Sequence, residues 1–296
     1  MNLRTVPLAL VLSATLLGQA ERSPVPPQAT VTEVNSFHSQ GLGRDVTIRV
    51  WLPPGYRGPE NSARNYPVIY LLDGGMMLGP SGPGSDRGLN LAEALSRLIE
   101  TKRIEPIVAV GVDAVKGGDG RRDEYLPYRD AITAPTSPEP RGKVFPDFLV
   151  TELLPYVSAR YRVTADPQKT AIGGLSYSAI AALYALINKP TTFQLGFFES
   201  PSLQSGNGQL LRDTQQLVFA GRRIAIGIGT MEGGKKADPA LNKKGPEIVR
   251  VLAANLRSAF FPPEVRFTVD EGAGHEASAW ERRIPEDILF LFGAPH

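Results

Sequence analysis

The chain of 296 residues contains no cysteine, only three histidines and four methionines. Without thiols it has no disulfide, no thiolate metal site and no cysteine for lipid attachment, so an oxidising compartment is permitted but not demanded. Its fold therefore rests on its core, and a hydrophobic fraction of 42% is enough for that without a staple. Charge of one predominant sign is missing too. The 32 basic and 30 acidic residues leave a net charge of +2, and no basic run is longer than a pair. Such a balance points to neither a nucleic acid nor a membrane surface as partner. The phosphate-loop pattern G-x-x-x-x-G-K-[S/T] is absent, Gly82-Pro83-Gly84 lacks the third glycine of a dinucleotide fingerprint, and no metal-ligand spacing occurs. No cofactor and no metal are expected, and no internal repeat is found.

What is present begins at the N-terminus. Met1-Asn2-Leu3-Arg4 precedes an apolar run from Val6 to Leu17 and the small-residue end Gly18-Gln19-Ala20. A basic start, a short apolar centre and small residues are the parts of a secretory signal peptide, and the run is too short to span a bilayer. Residues 1–20 are thus expected to be a signal peptide, and 21–30, with Pro24, Pro26 and Pro27, a linker. The expected location is the periplasm or the cell exterior, with no membrane span after cleavage. Residues 31–296 are expected to form one domain, since one sheet of eight strands uses nearly all of them.

The most telling stretch is Lys169-Thr170-Ala171-Ile172-Gly173-Gly174-Leu175-Ser176-Tyr177-Ser178, which runs into the helix-forming segment Ala179 to Ile187. A short extended run, two glycines, one serine and a strong helix former spell a nucleophile elbow, in which the serine sits on a strained turn between strand and helix. Gly174 leaves room where a Cβ would clash. The helix start then aims free N–H groups at the site. The usual G-x-S-x-G pattern ends here in Ser178 instead of glycine.

Activating a serine near neutral pH needs a base of matching pKa, and histidine is the usual one. His296 is the last residue, and His38 closes the first expected strand far upstream. His275 lies in Asp270-Glu271-Gly272-Ala273-Gly274-His275-Glu276, a glycine-rich stretch read as a loop between a strand and an amphipathic helix. His275 is the candidate base.

Apolar periodicity predicts strands over Val31–Ser39, Asp45–Leu52, Pro67–Leu72, Ile107–Val112, Gln168–Ile172, Phe193–Phe198, Arg223–Ile228 and Val265–Val269. It predicts helices over Leu89–Lys102, Phe145–Arg160, Tyr177–Asn188, Gln209–Gly221, Pro246–Phe260 and His275–Phe292. Two antiparallel strands followed by alternating strands and helices make an α/β sandwich with a mostly parallel sheet. Ligands bind such sheets at the carboxyl ends of the strands, where Ser176 and His275 fall.

At this point the chain resembles the α/β-hydrolase fold, in which nucleophile, acid and histidine follow in that order. The resemblance implies an acid after the seventh strand, where the sequence reads Gly227-Ile228-Gly229-Thr230-Met231-Glu232. Glu232 is the candidate acid, which would fix the histidine tautomer. Asp238 is the next choice, then Asp270 or Glu271. The fold also implies two backbone donors for an oxyanion, one after the nucleophile and one after the third strand. These fall on the N–H groups of Tyr177 and of Gly75 in Asp73-Gly74-Gly75-Met76-Met77, with Gly74 shaping the turn.

The resemblance narrows to the putative-esterase family, which includes esterase D, enterochelin and ferri-siderophore esterases, feruloyl esterases and mycolyltransferases. Its marks are Tyr70-Leu71-Leu72-Asp73-Gly74, Asp123-Glu124-Tyr125, Glu152-Leu153-Leu154-Pro155-Tyr156 before Tyr161-Arg162, Gly174-Leu175-Ser176, Ser200-Pro201-Ser202, Gly229-Thr230-Met231-Glu232 and Gly274-His275-Glu276 with Trp280. Membership implies hydrolysis of a small-molecule carboxylic ester, of siderophore, feruloyl or acetyl type, through an acyl-enzyme without metal or organic cofactor. An acyltransferase with the same residues, or a noncatalytic binding protein on this fold, are the alternatives. Some siderophore esterases of the family are thought to lack a strong acid, which makes Glu232 the least constrained of the three.

Two long loops, Met76 to Gly88 and Asp113 to Lys143, are expected to set substrate choice. Arg121 or Arg122 in the second would either grip an anionic part of the ester or pair with Asp119, Asp123 or Glu124.

Overall fold

The computed structural model describes residues 30–79, 88–89, 91–115, 119–130, 139–216, 219 and 221–294. The expected signal peptide and nearly all of the linker, the final His296 and the middle of both long loops lie outside the described residues.

Eight strands form one sheet: β1 (Thr30–Ser39), β2 (Arg44–Leu52), β3 (Val68–Leu72), β4 (Val108–Val112), β5 (Thr170–Leu175), β6 (Leu195–Glu199), β7 (Arg223–Met231) and β8 (Glu264–Gly274). Their spatial order is β1-β2-β4-β3-β5-β6-β7-β8. β2 runs antiparallel to both neighbours, and every other adjacent pair from β4 to β8 is parallel. This is the mostly parallel α/β-hydrolase sheet the sequence implied.

The described helices are α1 (Gly74–Leu78), α2 (Leu91–Glu100), α3 (Gly120–Tyr125), α4 (Phe145–Phe148), α5 (Leu154–Ser158), α6 (Tyr177–Asn188), α7 (Gln209–Asp213), α8 (Pro239–Arg257) and α9 (Ala277–Phe292). They cover both faces of the sheet, and the strands alternate between two cores. Tyr70, Val110, Ile172, Phe198 and Ile226 face the core built with α6 and α8, whereas Ile69, Ala109, Ala171, Phe197 and Ala225 face the core built with α2 and α9. Burial of each large side chain there contributes roughly 1.5–3 kcal/mol, and the period-two alternation fixes which face each residue serves.

Several boundaries depart from the periodicity. β8 continues through Asp270 to Gly274, because its backbone pairs with β7 as far as Met231 opposite Gly274, past an irregularity after Gly229. The glycine-rich stretch read as a loop is therefore strand up to the residue before His275. The expected helix over 145–160 is broken by a π-helical turn at Leu149–Leu153, just before Pro155, which lacks the N–H an unbroken ladder would use. The expected Gln209–Gly221 helix is α only to Asp213 and then 3-10 over Thr214–Gln216. α8 begins earlier than the expected Pro246, at Pro239, because Asp238 caps it: its Oδ1 accepts the Ala240 N–H at 2.8 Å. The short α3 lies inside a segment read as a loop, and α1 spans the expected glycine turn and the start of the first long loop.

Candidate active site

Ser176 occupies the turn between β5 and α6 with φ 58 and ψ −121. Only a turn held from outside keeps a non-glycine residue there. A Cβ on Gly174 would meet Ser178 O at 2.4 Å, so that position is closed to anything larger. The fully buried Ser178 completes the turn: its Oγ accepts the Leu175 N–H at 2.9 Å and donates to Leu175 O at 2.8 Å. Serine at the last position of the pentad therefore staples the elbow in a way glycine cannot. From the sheet side, the Ser176 N–H donates to Glu199 O at 2.9 Å.

His275 follows β8 directly, and its Nδ1 lies 2.6 Å from Glu232 Oε2. The other carboxylate oxygen of Glu232 accepts from Gly229 N–H at 2.7 Å and from Ser200 Oγ at 2.8 Å. Burial by itself raises the Glu232 carboxyl. The hydrogen bonds from His275 and Gly229, the charge of His275 and the Ser200 hydroxyl outweigh it and hold the group below the usual carboxylate range. Trp280 stands edge-on to the His275 ring, with centroids 5.0 Å apart at 84°. Asp238 is spent on capping α8, and Asp270 on Arg282 and Arg283 at 3.0 and 3.1 Å. Glu232 is the carboxylate that the structure brings to His275.

One cavity of about 470 Å³ is lined by Ser176, Tyr177, Ser200, Ser202, Glu232 and His275, among others. Within it Ser176 Oγ hydrogen-bonds Ser202 Oγ at 3.4 Å and is not hydrogen-bonded to His275. The Tyr177 N–H is at the first position of α6, where helix geometry supplies no acceptor. A larger open depression of about 1010 Å³ lies at the opposite edge, by the starts of β3, β5, β7 and β8, and holds none of these residues.

Gly75 does not line the cavity of Ser176. It lies in a depression of about 240 Å³ with Asp73, Asp113 and Arg121. The left-handed residue of this turn is Asp73, at φ 59, rather than a glycine. Gly74 does not shape the turn by φ; it lets α1 lie on β4, since a Cβ there would meet Gly111 C and Val112 N at 2.5 Å. Arg121 locks the turn with both Asp73 oxygens, at 2.8 and 2.5 Å, and its guanidinium stands 5.6 Å from the centre of the Tyr177 ring. Its partner is thus none of the three acids weighed for it, whereas Arg122 does pair with Asp119 at 2.9 Å. Glu124 pairs with Arg44 instead. His38 pairs with Asp45 at the surface, at 2.8 Å.

Ser200, Ser202 and Trp280 were visible in the sequence only as family marks, without a role. The positive φ of Ser200, 45°, has no signal in a Glu-Ser-Pro sequence.

Among known proteins, the family model described as "Putative esterase" matches residues 39–291. The ferri-bacillibactin esterase BesA of Bacillus subtilis (strain 168) is 26% identical over 269 residues, covering 82% of this chain and 84% of that protein. The esterase Rv1288 of Mycobacterium tuberculosis (strain ATCC 25618 / H37Rv) is 26% identical over 208 residues, 69% of this chain but 39% of that one. The enterobactin esterase FES of Shigella flexneri superposes with a TM-score of 0.67 at 20% identity, covering 90% of this chain and 60% of that one. The chain belongs to the putative-esterase family and is a carboxylic ester hydrolase on the α/β-hydrolase fold.

Proposed function

We propose that this chain is an exported serine esterase that cleaves siderophore-type or feruloyl esters through an acyl-enzyme. The observation that carries the reading is the 2.6 Å contact of His275 Nδ1 with Glu232 Oε2, inside the cavity that also holds the strained Ser176. With Nδ1–H donated to Glu232, Nε2 carries the lone pair and serves as base. The 3.4 Å contact to Ser202 is weak, so Ser176 Oγ turns from it toward His275 once substrate is bound. Oγ then attacks the ester carbonyl carbon while its proton passes to Nε2. The negative oxygen formed is held by the Tyr177 N–H, and the second donor is assigned to the Gly75 N–H although it lies outside the cavity of Ser176. Collapse expels the alcohol, which takes the proton from Nε2. Water repeats the sequence and releases the acid, restoring Ser176.

The siderophore reading is supported by the similarity to BesA and FES, esterases of ferri-bacillibactin and enterobactin, and the feruloyl reading by the similarity to a ferulic acid esterase. Export is supported by the arrangement of residues 1–20, and among the described residues no helix is long and apolar enough to cross a membrane. N-terminal sequencing of protein recovered from periplasm and medium tests it, with cleavage expected after Ala20.

Ser176→Ala should lower kcat on a p-nitrophenyl ester by about 10³-fold or more while leaving the melting temperature in place. Retained turnover in a folded variant would refute the serine mechanism. A panel of short-acyl, feruloyl, acetyl-sugar and catecholate-lactone esters assigns the substrate, and preference for the short acyl esters would remove the siderophore or feruloyl reading. Adding alcohol or sugar acceptors to the same assays detects acyl transfer.

A further inference from the structure

Ser200 follows β6 and is 2% exposed, with a backbone φ of 45 that disfavours any side chain. Its N–H donates to Gly227 O at 2.8 Å, which anchors that backbone to β7. Its hydroxyl meets three side chains at once. Trp280 Nε1 donates to it at 3.0 Å, Arg283 Nη2 at 3.3 Å, and the hydroxyl lies 2.8 Å from Glu232 Oε1. An indole N–H and a guanidinium can only donate, and a hydroxyl has two acceptor positions and one proton. Arg283 cannot withdraw, because Glu199 Oε2 holds its Nε and Nη2 at 2.8 and 2.5 Å and Asp270 Oδ2 holds its Nη1 at 3.1 Å.

We infer that Ser200 is a positioning residue for the acid of the proposed triad: Trp280 and Arg283 fill both lone pairs of its hydroxyl and so commit its proton to Glu232. That bond fixes the plane of the carboxylate, with Oε1 tied to Ser200 and Gly229 and Oε2 left for His275. The strained backbone is the cost of placing a serine, rather than a glycine, at this turn. Trp280 acts twice, since the ring that directs the Ser200 proton also stands against the His275 imidazole.

The inference rests on the serine-esterase reading, and Ser200→Gly tests it. Glycine adopts φ 45 freely, so the change removes the hydroxyl and the backbone strain together. A purely structural role for Ser200 therefore predicts an unchanged kcat in the folded variant, with at most a loss of stability from the Trp280 N–H left without its acceptor. The positioning role predicts kcat lower by about tenfold or more, with KM changed by less than about twofold. It also predicts that the far-downfield proton signal of the His275 Nδ1–H, assigned readily among three histidines, moves upfield or broadens. Ser200→Ala, which keeps the Cβ, should lose kcat to the same degree. A folded Ser200→Gly with wild-type kcat, a fall in kcat with the proton signal unchanged, or a loss confined to the glycine variant would each overturn the inference. The proton signal reports on Glu232 and His275 without turnover, so it separates this inference from the Ser176→Ala result.

Discussion

The two sides of the site are built in opposite ways. On the acid side, below β6 to β8, polar side chains are packed into the interior: Glu199 is 0% exposed, Asp287 1% and Arg283 5%. Burial first of all raises the Glu199 and Asp287 carboxyls, the more so for Asp287, which also faces the charge of Glu199, and Arg283 offsets only part of it. On the proposed oxyanion side, beyond β3, the structure is mostly backbone: a left-handed Asp73, a glycine that lies on β4 and a partly buried Arg121 that ties the turn down. In the proposed mechanism the acid side holds a proton path, which needs side chains with fixed donors and acceptors. In that mechanism the other side presents N–H groups to a charge that exists only during reaction, and needs only that the backbone not move.

The sharpest way to test this division is at its acid. Glu232→Gln should lower kcat by about 10²–10⁴-fold, since an amide can no longer hold the imidazole in its working tautomer. Asp238→Asn should leave kcat within about twofold and at most weaken the cap of α8. The reverse ranking in steady-state kinetics would move the acid to α8. On the oxyanion side, Arg121→Ala frees the Asp73 turn and leaves a nearly buried carboxylate without its partner. A loss of about tenfold in kcat with little change in KM is expected, because a donor displaced by a fraction of an ångström serves the transition state less than the substrate. A rise in KM for anionic esters alone would instead mark Arg121 as a substrate contact. The smallest effect is on stability. A Cβ on Gly227 would meet Glu199 Oε1 at 1.9 Å, and that side chain is clamped by Arg283. Gly227→Ala should cost roughly 1–3 kcal/mol in denaturant unfolding, and a neutral result would show the buried cluster to be looser than its contacts imply.

Much of this was legible along the chain. All eight strands were placed to within a few residues at their starts, because buried parallel strands are short apolar runs bounded by turns. The elbow was legible because its strained turn restricts residue types on both sides of Ser176. What failed were the carboxyl ends of β5, β7 and β8, where pairing with neighbouring strands extends segments whose own composition is glycine-rich. At the Asp73 turn, Gly74 was expected to shape the turn, whereas the left-handed residue is Asp73 and Gly74 serves close approach to β4.

By itself the sequence determined the alternation of strand and helix, the two cores, the esterase resemblance and the candidates Ser176 and His275, since each depends on periodicity or on a local turn with narrow steric tolerance. Tertiary structure alone decided which of four carboxylates faces the imidazole, that Arg121 answers to Asp73, and that Ser200 stands between Trp280, Arg283 and Glu232. Those pairings join residues 32 to 83 positions apart, across strands whose register no local pattern encodes, so they exist only once the sheet has brought the strand ends side by side.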